Sequence, residues 1–90
     1  MIEIAVIDDH EAIRVGVAAA LAGHGARRIS VVSQDDTVSA FLSRQLVVDV
    51  VLLDLQLADD SDPKENAERL IDAGYTVLVY SIADNVRLLR

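Results

Sequence analysis

The stretch Val47-Val48-Asp49-Val50-Val51-Leu52-Leu53-Asp54 decides the fold of this chain. Apart from one acid, residues 47–53 are all Val or Leu, without the alternation of a strand that faces water on one side. Such a run is typical of a strand that is buried on both faces in a parallel sheet. We therefore interpret 47–53 as a central strand, and Asp54 as a carboxylate that stands where this strand leaves the core.

Other apolar runs and helical patterns alternate along the rest of the chain. Three runs are predicted as strands: Ile2–Ile7, Ile29–Val32 and Thr76–Tyr80. Four segments have apolar residues at helical spacing: 11–22, a segment capped by Asp36 or Thr37, a segment from Pro63 to Gly74, and a segment from Asp84 through Leu89. Repeated strand–helix units predict an α/β fold with a parallel sheet and helices on both faces.

The third of these helices has the clearest start. In Asp62-Pro63-Lys64-Glu65, the Asp can act as N-cap, the Pro fits the first helical position, and the Glu stands where a capping box needs it. Gly74 supplies a stop. We therefore expect a helix from Pro63 to just before Gly74.

The composition of the fourth predicted strand indicates that a further strand is missing beside it. Val77 to Tyr80 are apolar in succession, which suits an interior strand, yet no fifth strand is recognisable after it. We therefore expect a single domain, 1–90, that stops before its last strand and helix. An unpaired apolar edge is a template for another chain, so we also expect self-association into a dimer.

Composition excludes several classes of protein. The chain has 90 residues, 52% of them hydrophobic, and no Cys, so a disordered tail, disulfides and thiolate metal sites are excluded. Its net charge of −7 disfavours binding of this segment to nucleic acid. The apolar runs are too short to cross a membrane and no signal peptide follows Met1, so we expect a cytoplasmic protein.

Acidic residues follow two of the predicted strands. Asp8 and Asp9 come after the first strand, Asp54 after the third, and the hydroxyl of Ser81 after the fourth. Function in parallel α/β sheets gathers at this end of the strands. Three carboxylates that meet there repel one another unless a cation neutralises them, and Mg²⁺ prefers oxygen ligands. We therefore predict a Mg²⁺ site that can place a phosphoryl donor beside a carboxylate nucleophile.

Each of these residues also has a purely structural interpretation. An acid at a strand end is often an N-cap for the next helix, as Asp9 could be. His10 is interpreted as a residue at the helix start, because Mg²⁺ prefers oxygen to nitrogen. The acids at 59, 60 and 62 lack the spacing of an EF-hand loop and are interpreted as solvated loop and cap.

The combined motifs resemble those of a known family. They are Ile7-Asp8-Asp9-His10, then Arg14-x-Gly16-Val17-x-x-x-Leu21, Val50-Val51-Leu52-Leu53-Asp54-Leu55, and Val77-Leu78-Val79-Tyr80-Ser81. Together they resemble the CheY-like receiver domain of response regulators, closest in look to the group with a C-terminal helix-turn-helix domain of the LuxR/NarL type. The resemblance implies a flavodoxin-like doubly wound sheet with strand order 2-1-3-4, the fifth strand and last helix missing.

The resemblance also implies roles for particular residues. Asp54 would accept a phosphoryl group, and Ser81 would hydrogen-bond it. Asp8, Asp9, Asp54 and the backbone carbonyl of Gln56 would bind Mg²⁺. The donor would be a phosphohistidine on a sensor histidine kinase, and the output a DNA-binding, transcription-regulating domain outside this segment. The family's fifth-strand lysine has no counterpart here, since the chain's one lysine lies at a predicted helix start.

Two other functions compete with this interpretation. The first is an atypical receiver that takes no phosphate and acts as a protein-interaction or dimerisation module. The second is a Mg²⁺-dependent phosphohydrolase with Asp54 as its covalent nucleophile. Such enzymes commonly need a second acid just after the nucleophile, where this chain has Leu55-Gln56-Leu57. We therefore expect a signalling domain and not an enzyme.

Overall fold

A computed structural model describes residues 2–11, 15, 16, 19, 29–57 and 59–80, and the backbone of 87–89. These residues form the strands β1 (Ile2–Ile7), β2 (Ile29–Asp35), β3 (Val50–Asp54), β4 (Val77–Tyr80) and β5 (Arg87–Leu89). They also form the helices α1 (Val38–Ser43) and α2 (Pro63–Asp72). The strands make one sheet in the order β2-β1-β3-β4-β5, and β1 to β4 pair in parallel. The predicted α/β class and strand order 2-1-3-4 are confirmed.

The register of the central strands brings their carboxyl ends level. Ile7 pairs with Leu53 across β1 and β3, and Asp54 pairs with Tyr80 across β3 and β4. In parallel strands that are in register, side chains at paired positions point to the same face of the sheet. The residues that end β1, β3 and β4 are therefore neighbours at one edge of the sheet.

The end of the chain differs from the prediction. Residues 87–89 form β5, which pairs antiparallel with β4, where the sequence predicted a helix from Asp84 through Leu89 and an unpaired β4 edge. The predicted helix would have been too short to be stable alone, since isolated helices of fewer than ~12 residues are marginal in water. The backbone of β4 offers hydrogen-bond partners instead. A parallel return needs a crossover of roughly a dozen residues or more, so the short connection permits only an antiparallel one.

The central strand also begins later than the apolar run predicted. Val47 is 90% exposed, and β3 starts only at Val50. Before it, Gln45 has a φ of 50°, which turns the chain out of α1. Asp49 then fixes the approach to the sheet, because its backbone N–H donates to the Glu3 carbonyl and its carboxylate accepts from the Glu3 N–H. Apolarity alone could not distinguish this connection from the strand that follows it.

Both helices begin at the predicted caps. The Thr37 hydroxyl accepts from the Ala40 N–H at the start of α1, and the Asp62 carboxylate accepts from the Lys64 N–H at the start of α2. After α2, Gly74 adopts a φ of 95°, a left-handed conformation that favours glycine and ends the helix. The predicted start and stop of α2 are confirmed.

The hydrophobic core lies between these helices and the sheet. Phe41 and Leu70 are fully buried against the apolar side chains of the central strands, and the Phe41 ring packs edge-on against Tyr75 with 5.1 Å between ring centroids. The Tyr75 hydroxyl donates to the Leu46 carbonyl at the amino end of the sheet. The apolar side chains of β3 are part of this core, and β3 ends at Asp54.

The predicted first helix is described at only a few positions. Residues 11, 15, 16 and 19 are helical, whereas the other residues of the segment 11–22 lie outside those described. Among the described residues, no helix has both the length and the apolar character that crossing a membrane requires.

Candidate functional site

Carboxylates from two neighbouring strands meet at the carboxyl edge of the sheet. Asp8 and Asp9 follow β1 directly, and Asp54 is the last residue of β3. One ligand atom from each of these acids and one ring nitrogen of His10 all lie within 4.8 Å of one another. The structure thus brings together the three carboxylates that the sequence placed at one edge, and we refer to Asp8, Asp9, His10 and Asp54 as the acid cluster.

Asp54 is almost completely buried at the end of β3. Its side chain is 1% exposed, and its Oδ1 accepts a hydrogen bond of 3.0 Å from the Gln56 N–H in the turn after β3. Its Oδ2 is buried and has no hydrogen-bond donor among the described residues. One oxygen of Asp54 is therefore held by the backbone, and the other keeps its lone pairs for another partner.

Asp8 is fully buried and held by donors from two directions. Its Oδ1 accepts from the backbone N–H and the ring nitrogen of His10, at 2.8 and 2.9 Å. Its Oδ2 accepts from the hydroxyl of Tyr80, which reaches from the end of β4 across β3. Burial and this bond to Asp8 raise the pKa of Tyr80 far above its usual range, so the phenol remains a donor. The Tyr80 hydrogen bond therefore fixes the orientation of the Asp8 carboxylate.

The His10 ring lies among the three acids. Its Nδ1 is 2.9 Å from Asp8, 3.3 Å from Asp9 and 3.7 Å from Asp54. The hydrogen bond to Asp8, followed by the charge of Asp9, raises the pKa of His10 above its ordinary value. The imidazole is thus a positive or hydrogen-donating group that lies within 3.7 Å of an oxygen of each of the three acids.

One observation indicates that the acid cluster can bind a divalent cation. Asp9 Oδ1 and Asp54 Oδ2 are both buried without a hydrogen-bond partner among the described residues. A buried carboxylate oxygen without a partner is costly, and a cation with oxygen ligands would satisfy both oxygens at once. The residues present therefore suit Mg²⁺, with Asp8 held beside them by Tyr80.

The two other predicted site residues, Gln56 and Ser81, are not part of the acid cluster. Gln56 lies next to the cluster, where its N–H donates to Asp54, and its carbonyl belongs to the same turn. Ser81 lies outside the described residues. The other acidic stretch behaves as predicted, since Asp59 accepts from Ser61 within its own loop and Asp62 caps α2.

Sequence reasoning missed the part played by Tyr80. Its place in an apolar run made it look like core packing, and it is indeed buried. A tyrosine at the last position of a strand, in register with Asp54, is nevertheless a usable signal, because a buried phenol needs an acceptor. His10 was assigned only to the helix start, whereas its ring also enters the cluster.

These environments predict that the metal-free protein loses stability as the pH rises. Burial, followed by the charge of Asp8, raises the pKa of Asp54, although the Gln56 N–H opposes this, and the pKa of His10 is raised as well. A group with a raised pKa in the folded state stabilises the fold below its unfolded pKa, and this contribution is lost as the pH passes through the folded pKa. The loss of stability should begin above pH 3.8 for the contribution of Asp54 and above pH 6.5 for that of His10.

Urea unfolding in EDTA at a series of pH values measures this decline. In His10→Phe, the part that begins above 6.5 should be absent while the part due to Asp54 remains. A free energy of unfolding for the wild type that rises steadily from about pH 5 to about pH 8 would contradict the assignment.

Comparison with known proteins agrees with this fold. The sequence matches no family model and no curated protein. Among solved structures, the signal receiver domain of the response regulator NarL from Mycobacterium tuberculosis is similar, with 31% identity, a TM-score of 0.70, and coverage of 93% of this chain and 68% of that one. RcsB from Salmonella enterica serovar Typhimurium, bound to promoter rprA, gives 17% identity, a TM-score of 0.73, and coverage of 94% and 72%. The receiver domain of the PhyR response regulator from Erythrobacter litoralis gives 18% identity and a TM-score of 0.71. The match covers 89% of this chain and 62% of that one.

The parallel sheet, its strand order and the acid cluster at its carboxyl edge define a signal-receiver domain. The chain belongs to the response-regulator receiver family, on its likeness to the NarL receiver over 93% of its length. The more distant structures support the fold alone.

Proposed function

We propose that this chain is a phospho-accepting receiver domain, in which Asp54 takes a phosphoryl group from a phosphohistidine of a sensor histidine kinase. One observation carries the proposal. Asp54 is nearly fully buried at the end of β3, and its Oδ2 is without a hydrogen-bond partner among the described residues, next to two further carboxylates. A carboxylate so placed is costly for the fold, and it retains a lone pair with which to attack phosphorus.

In the proposed transfer, a carboxylate oxygen of Asp54 attacks phosphorus and forms an O–P bond. The N–P bond to the kinase histidine breaks, and the departing nitrogen keeps the electron pair and takes a proton from solvent. The Gln56 N–H, 3.0 Å from Asp54 Oδ1, holds the carboxylate in one orientation during the attack. The Ser81 hydroxyl is proposed to donate to a phosphoryl oxygen of the product.

The carboxylates of Asp8, Asp9 and Asp54 and the backbone carbonyl of Gln56 are proposed to hold Mg²⁺. When bound, the ion neutralises negative charge on the transferred group. The protein's own contribution is orientation. The Tyr80 hydroxyl and the His10 backbone N–H fix the two oxygens of Asp8, so that the carboxylate does not have to reorganise when a cation arrives.

The proposal extends to partners. A sensor histidine kinase would supply the phosphoryl group in the cytoplasm, and a DNA-binding, transcription-regulating domain would read the result. The solved RcsB structures include two RcsB dimers bound to two parallel DNAs. We propose that phosphorylation favours a dimer of this receiver. The β4 edge, which the sequence suggested as the contact, does not support this, because β5 already pairs with it.

Intact mass spectrometry after incubation with Mg²⁺ and a small phosphodonor tests the proposal. The wild type should gain the mass of one phosphoryl group, a net addition of HPO₃, and Asp54→Asn should gain none. Light scattering after size exclusion of the same samples tests dimer formation. Labelling that survives in Asp54→Asn would show that another residue is the acceptor.

A receiver that acts without phosphate is the second candidate. It is favoured by β5, since a short antiparallel strand occupies the edge where the family resemblance implies a parallel fifth strand with a lysine. The same mass measurement separates the two functions. A wild type that is folded, binds Mg²⁺ and takes up no phosphate would support this second function.

A further inference from the structure

The His10 ring nitrogen is at the spacing of a metal ligand within the acid cluster. Its Nδ1 lies 2.9, 3.3 and 3.7 Å from oxygens of Asp8, Asp9 and Asp54. Ligand atoms bond first-row metal ions at about 2.0–2.2 Å, so neighbouring ligand atoms around one ion are roughly 3 Å apart. The four groups, with one ligand atom each, fall within 4.8 Å of one another, which is compatible with one shared ion.

A hydrogen bond from the imidazole cannot by itself satisfy this cluster. The hydrogen on Nδ1 is directed to one acceptor, Asp8 Oδ1, at 2.9 Å. Asp54 Oδ2, on a side chain that is 1% exposed, faces the same nitrogen at 3.7 Å and has no hydrogen-bond donor among the described residues. Asp9 Oδ1, 3.3 Å from the same nitrogen, is also buried without a hydrogen-bond partner among the described residues. These buried oxygens therefore indicate a bound cation that can bond to several of them at once.

We propose that His10 Nδ1 is an additional ligand of this site, so that the cluster prefers a first-row transition-metal ion such as Co²⁺ to Mg²⁺. This rests on the proposed function, since it uses the same carboxylates. Imidazole nitrogen suits Co²⁺, Ni²⁺ and Zn²⁺, whereas Mg²⁺ selects oxygen. A mixed set of carboxylate and imidazole ligands therefore discriminates between the two classes of ion, and carboxylates alone discriminate less.

The ring can exchange its hydrogen bond for a metal bond without leaving its place. Coordination uses the lone pair of Nδ1, so the hydrogen shared with Asp8 must leave that nitrogen. The His10 side chain is 46% exposed, so the hydrogen on Nε2 can be solvated by water. The Asp8 carboxylate keeps its bonds from the His10 backbone N–H and from Tyr80.

Isothermal titration calorimetry of the whole chain with Co²⁺ alone and with Mg²⁺ alone tests the proposal. The variant is His10→Phe, which keeps a ring and removes the nitrogen. The control is His24→Phe, at the chain's only other histidine. His10→Phe should lose at least about tenfold in Co²⁺ affinity, since even the loss of a group that holds a ligand costs roughly 10–100-fold. Its Mg²⁺ affinity should change less than about threefold, and His24→Phe should match the wild type for both ions.

A spectroscopic measurement shows the nitrogen directly. Pulsed electron paramagnetic resonance of bound Mn²⁺ should detect coupling to an imidazole nitrogen in the wild type and in His24→Phe, and none in His10→Phe. Loss of this coupling together with the selective loss of Co²⁺ affinity would establish His10 as a ligand.

Other outcomes would overturn the proposal. If His10→Phe leaves the ratio of Co²⁺ to Mg²⁺ affinity unchanged, His10 is not a ligand, although the carboxylate site and the proposed function stand. If the variant binds both ions more tightly, the imidazole competes with the metal. If the wild type binds neither ion, the Mg²⁺ site of the proposed function fails together with this inference.

Discussion

Asp54→Asn is expected to stabilise the metal-free protein and to abolish its stabilisation by Mg²⁺. In the wild type, a buried carboxylate with a raised pKa stands beside two others, and its Oδ2 has no donor among the described residues. The amide of Asn has nearly the same shape, carries no charge, and adds an N–H₂ donor that Asp9 Oδ1 lacks. An unsatisfied buried polar group costs about 1–3 kcal/mol, so the free energy of unfolding should rise by about that amount.

Mg²⁺ should reverse the order of the two proteins. A ligand that binds only the folded state adds about 2.7 kcal/mol at 100 times its dissociation constant. The wild type should gain this stabilisation, and Asp54→Asn should not, because a proposed ligand has lost its charge. Urea unfolding of both proteins, in EDTA and in saturating Mg²⁺, measures all four free energies.

Asp62→Asn is the matched control for this pair. It makes the same chemical change at the exposed N-cap of α2, where Asn caps a helix about as well as Asp. Its stability should stay close to that of the wild type, and its Mg²⁺ stabilisation should be complete. If Asp54→Asn proves less stable than the wild type in EDTA, Asp54 is better satisfied in the metal-free fold than its unpartnered Oδ2 indicates.

The sheet could be predicted from sequence because local and global signals agree. Continuous Val and Leu runs, each followed by a helical pattern, leave a parallel sheet as the arrangement that buries them. The α2 helix is the best example, since Asp62, Pro63 and Gly74 each specify a backbone position by their own chemistry. The convergence of Asp8 and Asp54 then follows from strand register alone.

The sequence predictions are wrong or incomplete where the local conformation depends on residues that are distant in the chain. Val47 has the composition of a strand residue, but whether it pairs is decided by Gln45 and by the contact between Asp49 and Glu3. The segment 87–89 has no strong preference of its own, and the open edge of β4 determines its conformation. Likewise, no local pattern shows that the Tyr80 hydroxyl reaches Asp8, 72 positions away in the sequence.

The hydrogen bond from Tyr80 to Asp8 is expected to contribute both to stability and to metal affinity. Tyr80→Phe removes the hydroxyl that donates to Asp8 Oδ2 at 2.5 Å and leaves a fully buried carboxylate with one donor fewer. Hydrogen bonds to charged groups contribute about 1.5–3 kcal/mol, so the free energy of unfolding should fall by about that amount. The carboxylate is also freed to rotate, and loss of a group that orients a metal ligand costs roughly 10–100-fold in metal affinity. We therefore expect Mg²⁺ to bind Tyr80→Phe at least about tenfold more weakly than the wild type.

Tyr75→Phe separates the positioning effect from a general loss of stability. It removes the chain's other phenol hydroxyl, whose partner is the Leu46 carbonyl at the opposite end of the sheet. The Tyr75 variant should be destabilised, because the partly buried Leu46 carbonyl loses its donor, yet calorimetry should find its Mg²⁺ affinity unchanged. Tyr80→Phe should lose both stability and affinity. If the two variants bind Mg²⁺ equally well, the Tyr80 bond to Asp8 serves only the packing of β4, and the metal site is oriented by β1 and β3 alone.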